Sequence, residues 1–362
     1  MMTQHFDIAI VGAGMAGASL AAALQGRARV AVLEAEDRPG YHTTGRSAAF
    51  WTESYGGPGV QPLTTASGPM LRALGMLSPR AALTLGRADQ ADEVAAFARE
   101  YAALGVEVIS LDRAGIAARV QGLRPGWTCG VIEPSCCDID VAGLHQHYLA
   151  QARRQGAEIF CRAALAGAAR TDRGWTLALG DGRRIGCDLL VNAAGAWADP
   201  VAGMAGLRPI GVTPYRRTIA QLSVSPPVPA DLPLVLDIAG QFYFKPESGR
   251  LWLSPHDETP SPPCDAAAEE IDIAIAIDRF AQVVDWTIER VEHRWAGLRS
   301  FAPDRLPVYG FDPAEPRFFW FAGQGGFGIQ TAPAAAELAA RLLLGEHGGP
   351  IDPVPYAPGR FS

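Results

Sequence analysis

The chain has 362 residues, 48% of them apolar and 19% charged, with a formal net charge of −7. That length allows two domains or one large interleaved unit, and an acidic balance with no basic run argues against nucleic acid or an anionic membrane as partner. No stretch offers the roughly 18 uncharged apolar residues of a membrane span, and six cysteines without CxxC or metal-ligand spacing read as cytoplasmic thiols with no metal site. Lys245 is the only lysine among 31 basic residues, a skew that reads as genomic base composition.

Residues 6–34, FDIAIVGAGMAGASLAAALQGRARVAVLE, predict a strand, a glycine turn, a helix and a second strand that stops on an acid. Asp7 and the missing basic flank set this stretch apart from a secretory signal. The pattern is a βαβ unit for a dinucleotide. Gly12 permits the tight turn, Gly14 lets backbone approach a pyrophosphate, and Gly17 lets the helix close on the sheet. Glu34, 22 residues after Gly12, is placed to accept hydrogen bonds from ribose hydroxyls.

Residues 35–59 carry many turn formers and little periodicity, which predicts a long functional loop whose Phe50, Trp51 and Tyr55 are poor choices for solvent. A helix is expected over residues 89–104, with Val94, Phe97, Tyr101 and Leu104 inward. Asp140 is placed to cap a second helix running to Arg154. His145 and His147 lie two apart on it, the wrong spacing for a helical zinc pair, and read as ordinary histidines. Residues 175–187 predict a hairpin turning at Asp181-Gly182, followed by an apolar strand over Leu189–Val191 that ends in Asn192-Ala193-Ala194-Gly195. Small residues at such a strand end suit ligand contact. Short strands broken by Pro and Gly between 210 and 295 predict a largely antiparallel substrate domain with one helix in EEIDIAIAIDRFAQVV. The tail reads as a strand (318–322), a loop holding Gly323, Gly325, Gly326 and Gly328, and a helix ending at Gly345, so a second helix N-terminus faces a ligand.

The segments GAGMAG with Glu34, RPGYHTTGRSAA, VNAAGAWAD, GLRSFAPD and GQGGFGIQTAP occur in the order seen in the D-amino-acid oxidase/glycine oxidase (DAO) superfamily of flavoproteins. The chain resembles most the bacterial D-amino-acid dehydrogenases of the D-arginine dehydrogenase type. The resemblance spans nearly the whole chain. It implies an α/β fold (α+β overall) in which a Rossmann-like FAD-binding domain (residues 1–88, 140–209 and 300–362) is interleaved with an antiparallel-sheet substrate domain (89–139 and 210–299). It also implies FAD, held noncovalently because GLRSFAPD lacks the cysteine that carries covalent FAD in many sarcosine-oxidase-type relatives.

Carried over by position, Gly12, Gly14, Gly17, Glu34 and Ala35 would hold the ADP half. Thr43, Thr44, Arg46, Ser47 and Ala48 would line the flavin, with Ala194 and Gly195 nearby. Gly325, Gly326, Gly328, Ile329 and Gln330 would aim a helix N-terminus at the flavin pyrimidine, where its partial positive charge stabilises a reduced ring. Arg216 and Arg299 would clamp a substrate carboxylate, Tyr55 and Tyr243 would serve as pocket tyrosines, and Phe50, Thr52, Ala82, Gly326 and Gln330 would complete the substrate site.

Two positions depart from relatives that act on basic D-amino acids: Ala82 stands where they carry an acid, and Phe50 where they carry a histidine. A cationic side chain would lack a partner, at a cost of several kcal/mol, so neutral or apolar substrates are expected. Glu53 is the exception that would readmit basic ones if it faced the pocket. The implied reaction is hydride transfer from a D-amino-acid Cα to flavin N5, followed by hydrolysis to a 2-oxo acid and ammonia. An electron acceptor (oxygen, a quinone or a dye) completes the cycle. The competing readings are an N-alkyl amino acid oxidase of the sarcosine/glycine oxidase type, a 2-hydroxy acid dehydrogenase, and a non-catalytic electron-transfer subunit.

Overall fold

The computed structural model describes residues 4–361. The apolar run at the start forms the strand Gln4–Val11, the glycine turn leads into the helix Met15–Ala23, and the second strand is Val30–Leu33. Both strands are parallel neighbours, Ile8 opposite Val30 and Val11 opposite Leu33. Alternation along the first strand sends Ile8 and Ile10 to one face of the sheet and Ala9 and Val11 to the other. Both faces are covered, as a near-continuous apolar strand requires.

The strand Arg184–Asn192 lies on the other side of Gln4–Val11, also parallel. The expected hairpin strand and the expected apolar strand Leu189–Val191 are therefore one continuous strand. Its first half pairs antiparallel with Gly174–Leu179, and its second half pairs parallel with the tail strand Glu315–Ala322. Among the described residues this sheet has eight strands. The helix Val141–Arg154 packs on it, and the Asp140 carboxylate accepts the Gly143 N–H at 2.8 Å, the cap that its sequence predicts. The helix Ala332–Leu343 covers the same face, so Leu20, Leu144, Phe319 and Ala339 meet in one core.

A second sheet, of ten strands among the described residues, is antiparallel throughout except where Leu234–Asp237 runs parallel to Ala82–Arg87. Its centre is the long pair Thr213–Ser225 and Thr287–Phe301. Ala82–Arg87, expected within the first FAD segment, belongs to this sheet because its partners are Trp127–Glu133 and Leu234–Asp237. The helix Ala91–Ala103 buries Val94 and Tyr101, leaves Phe97 partly covered and exposes Leu104. The expected loop 35–59 contains a short 3₁₀ turn, Thr44–Arg46, and a two-residue strand, Phe50–Trp51, which belongs to a small three-stranded sheet with Cys137–Ile139 and Leu77–Pro79. No helix among the described residues is long and apolar enough to cross a membrane.

Candidate active site

The carboxyl ends of the parallel strands open into a groove of about 360 Å³, bordered by Val11, Leu33 and Ala193. Its floor depends on missing side chains. Gly12 has φ +102°, and a Cβ there would stand 2.5 Å from the Ala193 carbonyl oxygen; a Cβ on Gly17 would stand 1.9 Å from the Gly12 carbonyl oxygen. The first turn of Met15–Ala23 carries no acidic residue of its own, and its N-terminus opens on the groove. The buried Glu34 accepts the Ala13 N–H and the Glu36 N–H, each at 3.0 Å, and still lines the groove. Thr44 Oγ1 accepts the Met15 N–H at 3.0 Å. His145 Nε2 lies 2.8 Å from the Ala13 carbonyl and therefore donates to it, which makes His145 a buttress of the glycine turn. Burial lowers its pKa.

Gly12, Gly14, Glu34, Ala35, Thr43, Thr44 and Ser47 line the groove. So do Ala194, Gly195, Gly325, Gly326, Gly328 and Ile329. Gly17 does not; it serves packing. Arg46 is also turned away, because its guanidinium donates to the Ala266 and Ala296 carbonyls and pairs with Asp265. Three aromatic residues that sequence reasoning passed over border the groove, Tyr41, His42 and Trp197, the last two with ring centroids 4.7 Å apart. His42 Nε2 meets Glu36 at 2.9 Å, while its buried Nδ1 has no partner.

A smaller cavity of about 20 Å³ adjoins the groove, sharing Ser47, Arg299, Gly326 and Ile329 with it. Ala48, Ala49, Phe50, Tyr55, Arg217, Tyr243 and Gln330 complete its wall. The second arginine is Arg217, not Arg216. On the strand Thr213–Ser225, Tyr215 stands opposite Arg299 and Arg217 opposite Gly297, so these share a face, and the bare Gly297 leaves room for the Arg299 guanidinium, whose Nη1 would lie 3.0 Å from a Cβ there. Arg216 points to the other face, where it pairs with Asp272 at 2.9 Å and with Glu269. Choosing between the neighbours in YRR requires the sheet register, which no local signal carries.

Thr52 also lies outside the cavity: its hydroxyl donates to Glu133 at 2.6 Å. Glu133, only 2% exposed, also accepts the Glu53 N–H at 2.8 Å and the Ser54 N–H at 3.1 Å, and so fixes the loop that carries Tyr55. The Glu53 carboxylate accepts from Thr65 on the helix Gln61–Ala73 and does not line the cavity. Ala82 sits behind the wall in an apolar cluster with Phe50, Leu234 and Tyr243. Gln330 donates to the Tyr55 carbonyl at 3.1 Å and to Thr64 Oγ1 at 3.0 Å, tying the glycine loop to the tyrosine.

The electrostatics of the cavity are lopsided. Arg217, 2% exposed, pairs with Glu258 at 3.0 Å and donates to the Asp257 carbonyl at 2.8 Å and the Tyr55 hydroxyl at 3.3 Å. Arg299, 6% exposed, donates only to the Leu298 carbonyl, at 3.4 Å, and has no acid partner among the described residues. Burial, together with the charge on Arg217, lowers its pKa. Burial raises the Tyr243 phenol against the pull of Arg217. His256, which sequence reasoning missed because LSPHDE resembles no site motif, meets the Tyr55 hydroxyl at 3.1 Å; burial and Arg217 push its pKa down to about 3.

A family model described as FAD dependent oxidoreductase (DAO) matches residues 7–342. A glycine oxidase from Pseudomonas aeruginosa is 29% identical over 175 residues, 47% of this chain and 45% of its own length. The hydrogen cyanide synthase subunit HcnC of the same species is 26% identical over 237 residues, 62% of this chain and 54% of its own. The chain thus spans about half, or less, of the length of the curated relatives it matches. Among solved structures, L-proline dehydrogenase from P. horikoshii superposes with a TM-score of 0.87 at 21% identity, covering 99% of this chain and 98% of that one. Glycine oxidase from Geobacillus kaustophilus does so with a TM-score of 0.84 at 22% identity, covering 98% of each. FAD is the cofactor of the matching family, and the groove fits it. A glycine-floored cradle at a helix N-terminus suits a pyrophosphate. Glu34 suits a ribose, and the orphaned His42 Nδ1 offers a further polar contact. No cysteine lines the groove among the described residues.

Proposed function

The chain belongs to the DAO family of FAD-dependent oxidoreductases, and from its site we propose that it oxidises the Cα–N bond of a small amino acid, with neutral or apolar D-amino acids favoured. The observation that carries this reading is Arg299, a buried guanidinium with no acid partner among the described residues, at the junction of groove and cavity. An isolated buried charge is costly unless something pairs with it, and a substrate carboxylate is the natural complement of a planar guanidinium fork. Arg217 supplies a second positive charge on the same face.

With the carboxylate held there, Tyr55 and Tyr243 orient the amine, and Phe50 with the two tyrosine rings shields the reacting carbon from water. Fixing the reactants in this way supplies much of the barrier reduction. FAD, which the glycine turn and Glu34 would hold noncovalently along the groove, would supply the acceptor for the hydride equivalent from Cα, and the imino acid released would hydrolyse in water to a 2-oxo acid and ammonia. Ala82 and Phe50 in an apolar cluster, with Glu53 turned outward, support uncharged side chains and set the chain apart from relatives of the D-arginine dehydrogenase type that take basic ones. The narrowness of the cavity supports a second reading, glycine or a small N-alkyl amino acid, which agrees with the glycine oxidases among its relatives. The free thiols keep a cytoplasmic location as our reading.

The test is anaerobic mixing of the yellow holoprotein with D- and L-amino acids, glycine, sarcosine and 2-hydroxy acids while flavin absorbance is followed. Rapid bleaching by apolar D-amino acids is expected. Bleaching by glycine or sarcosine alone would shift the assignment to the second reading. Bleaching by 2-hydroxy acids, or by nothing in the panel, would overturn the amino acid reading in favour of a hydroxy acid dehydrogenase or an electron-transfer subunit.

A further inference from the structure

We propose that His256 is a positioning residue that turns Tyr55 into an obligatory hydrogen-bond acceptor, so that the cavity selects ligands carrying an N–H donor next to their carboxylate. This inference rests on the carboxylate-binding role of Arg299 and Arg217 and adds the direction of the contact at the neighbouring atom.

His256 Nδ1 lies 2.8 Å from the Gly240 carbonyl oxygen, which can only accept, so Nδ1 carries a proton. Burial, with Arg217 nearby, keeps the ring neutral, and a neutral imidazole with a proton on Nδ1 has a bare lone pair on Nε2. That lone pair faces the Tyr55 hydroxyl at 3.1 Å, so Tyr55 O–H donates to His256. A phenol has one proton, and it is now committed. Arg217 Nη1 lies 3.3 Å from the same oxygen and can only donate, which uses part of its acceptor capacity. What Tyr55 presents to the cavity is a remaining lone pair, a few ångströms from the glycine loop: a Cβ built on Gly326 would lie 3.2 Å from the Tyr55 hydroxyl.

His256 is held firmly for this task. Its backbone has φ +53°, its N–H donates to Ser254 Oγ at 3.1 Å, and its ring packs edge-on against Tyr243 with centroids 5.6 Å apart. An amine N–H satisfies the Tyr55 lone pair. A carbonyl or ether oxygen at the same place meets lone pair with lone pair, and the buried polar groups then lack a partner. The device therefore favours amino acid substrate over 2-oxo acid product.

The test uses oxidised holoenzyme and two isosteric, unreactive carboxylates: pyrrole-2-carboxylate, whose ring nitrogen donates, and furan-2-carboxylate, whose ring oxygen only accepts. Flavin spectral perturbation gives both dissociation constants. Wild type is expected to bind the pyrrole about tenfold or more tightly than the furan, the magnitude of one hydrogen bond made against one left unmade. In His256→Leu the Tyr55 proton is released to the cavity and the ratio is expected to fall to about one or below. His256→Gln, whose amide oxygen can still accept from Tyr55, is expected to restore it. Tyr55→Phe should abolish the preference alone, and His256→Leu added to it should change nothing further, a comparison that stands even if His256→Leu by itself folds poorly. A purely structural histidine would weaken both ligands together. An unchanged ratio in His256→Leu or in Tyr55→Phe would overturn this inference while leaving the proposed function intact. Failure of wild type to bind either carboxylate would overturn both.

Discussion

A charged side chain can lie in a protein interior because it is paired or because it waits for a ligand, and the arginines of the second sheet divide along that line. Arg216 is satisfied within the protein by Asp272 and Glu269, and it in turn compensates Asp272, which is 6% exposed. Arg299 has neither relation. Replacing each should therefore give opposite signatures. Arg299→Met removes an unpaired buried charge and keeps the volume, so the apoprotein should melt at the wild-type temperature or a few degrees higher, while kcat/KM falls by roughly 10²–10³-fold, corresponding to about 3–4 kcal/mol for a desolvated charge pair. Arg216→Gln leaves Asp272 uncompensated and should lower stability by about 1–3 kcal/mol with kcat/KM unchanged per bound flavin. Thermal denaturation and steady-state kinetics on the two variants decide the matter. A loss of kcat/KM in Arg216→Gln comparable to that in Arg299→Met would show that the strand Thr213–Ser225 presents the wrong face to the site.

The glycine turn and its helix form a unit whose geometry is set by contact distance. With a Cβ on residue 17 only 1.9 Å from the Gly12 carbonyl oxygen, Gly17→Ala must push the helix Met15–Ala23 off the strand Gln4–Val11. Overpacking of this kind costs about 1–3 kcal/mol, and the displaced helix terminus should release FAD, read as a lower flavin-to-protein ratio after gel filtration. Asp140→Ala, which removes a helix cap elsewhere on the same sheet, should cost about 1 kcal/mol and retain full flavin; equal flavin loss in both variants would mean that general destabilisation, not the turn, empties the groove. The same contrast explains what could be read in advance. The βαβ unit, the Asp140 cap and the Asp181-Gly182 turn are encoded within a few residues, so periodicity and turn chemistry suffice. The two sheets are not. Ala82–Arg87 takes partners near 130 and 235, and whether Arg216 or Arg217 faces the cavity depends on which one lies opposite Gly297, some 80 residues away. Arg46 sits within a cofactor motif yet is drawn off by Asp265 and two carbonyls that become its neighbours only in the folded chain. His256 acquires its role from Gly240 and Tyr55 together, and nothing in LSPHDE announces it.

The two halves of the molecule each contain a histidine whose affinity for a proton the fold lowers. His145, facing the Ala13 carbonyl, Gly40 and Glu34, buttresses the cofactor turn; His256, facing Tyr55, Arg217, Tyr243 and the Gly240 carbonyl, stands behind the substrate cavity. Burial is the leading cause of the lowered pKa in both, and that of His256 falls to about 3. In the unfolded chain each titrates near pH 6.5, so below that pH the unfolded state binds more protons than the native one. Stability is then fully present above pH 6.5 and is lost as pH falls, by up to about 1.4 kcal/mol per pH unit for each histidine held neutral. Asp199, Asp237 and Asp257 have pKa values raised by burial, so they act in the opposite sense, but from an ordinary value of 3.8 that lies well below the histidine's 6.5. The histidine effect should therefore dominate between pH 6.5 and 5. Urea unfolding of the holoprotein at pH 7.5 and 5.5 is expected to show a clear loss of stability at the lower pH. His256→Gln, which keeps an acceptor for Tyr55 and cannot titrate, should reduce that loss by about 1 kcal/mol, most of one histidine's share over the single pH unit below 6.5. An identical pH dependence in wild type and variant would mean that the folded protein protonates His256 as readily as the unfolded chain does. The bare Nε2 lone pair, and with it the fixed direction of the Tyr55 hydroxyl, would then be lost.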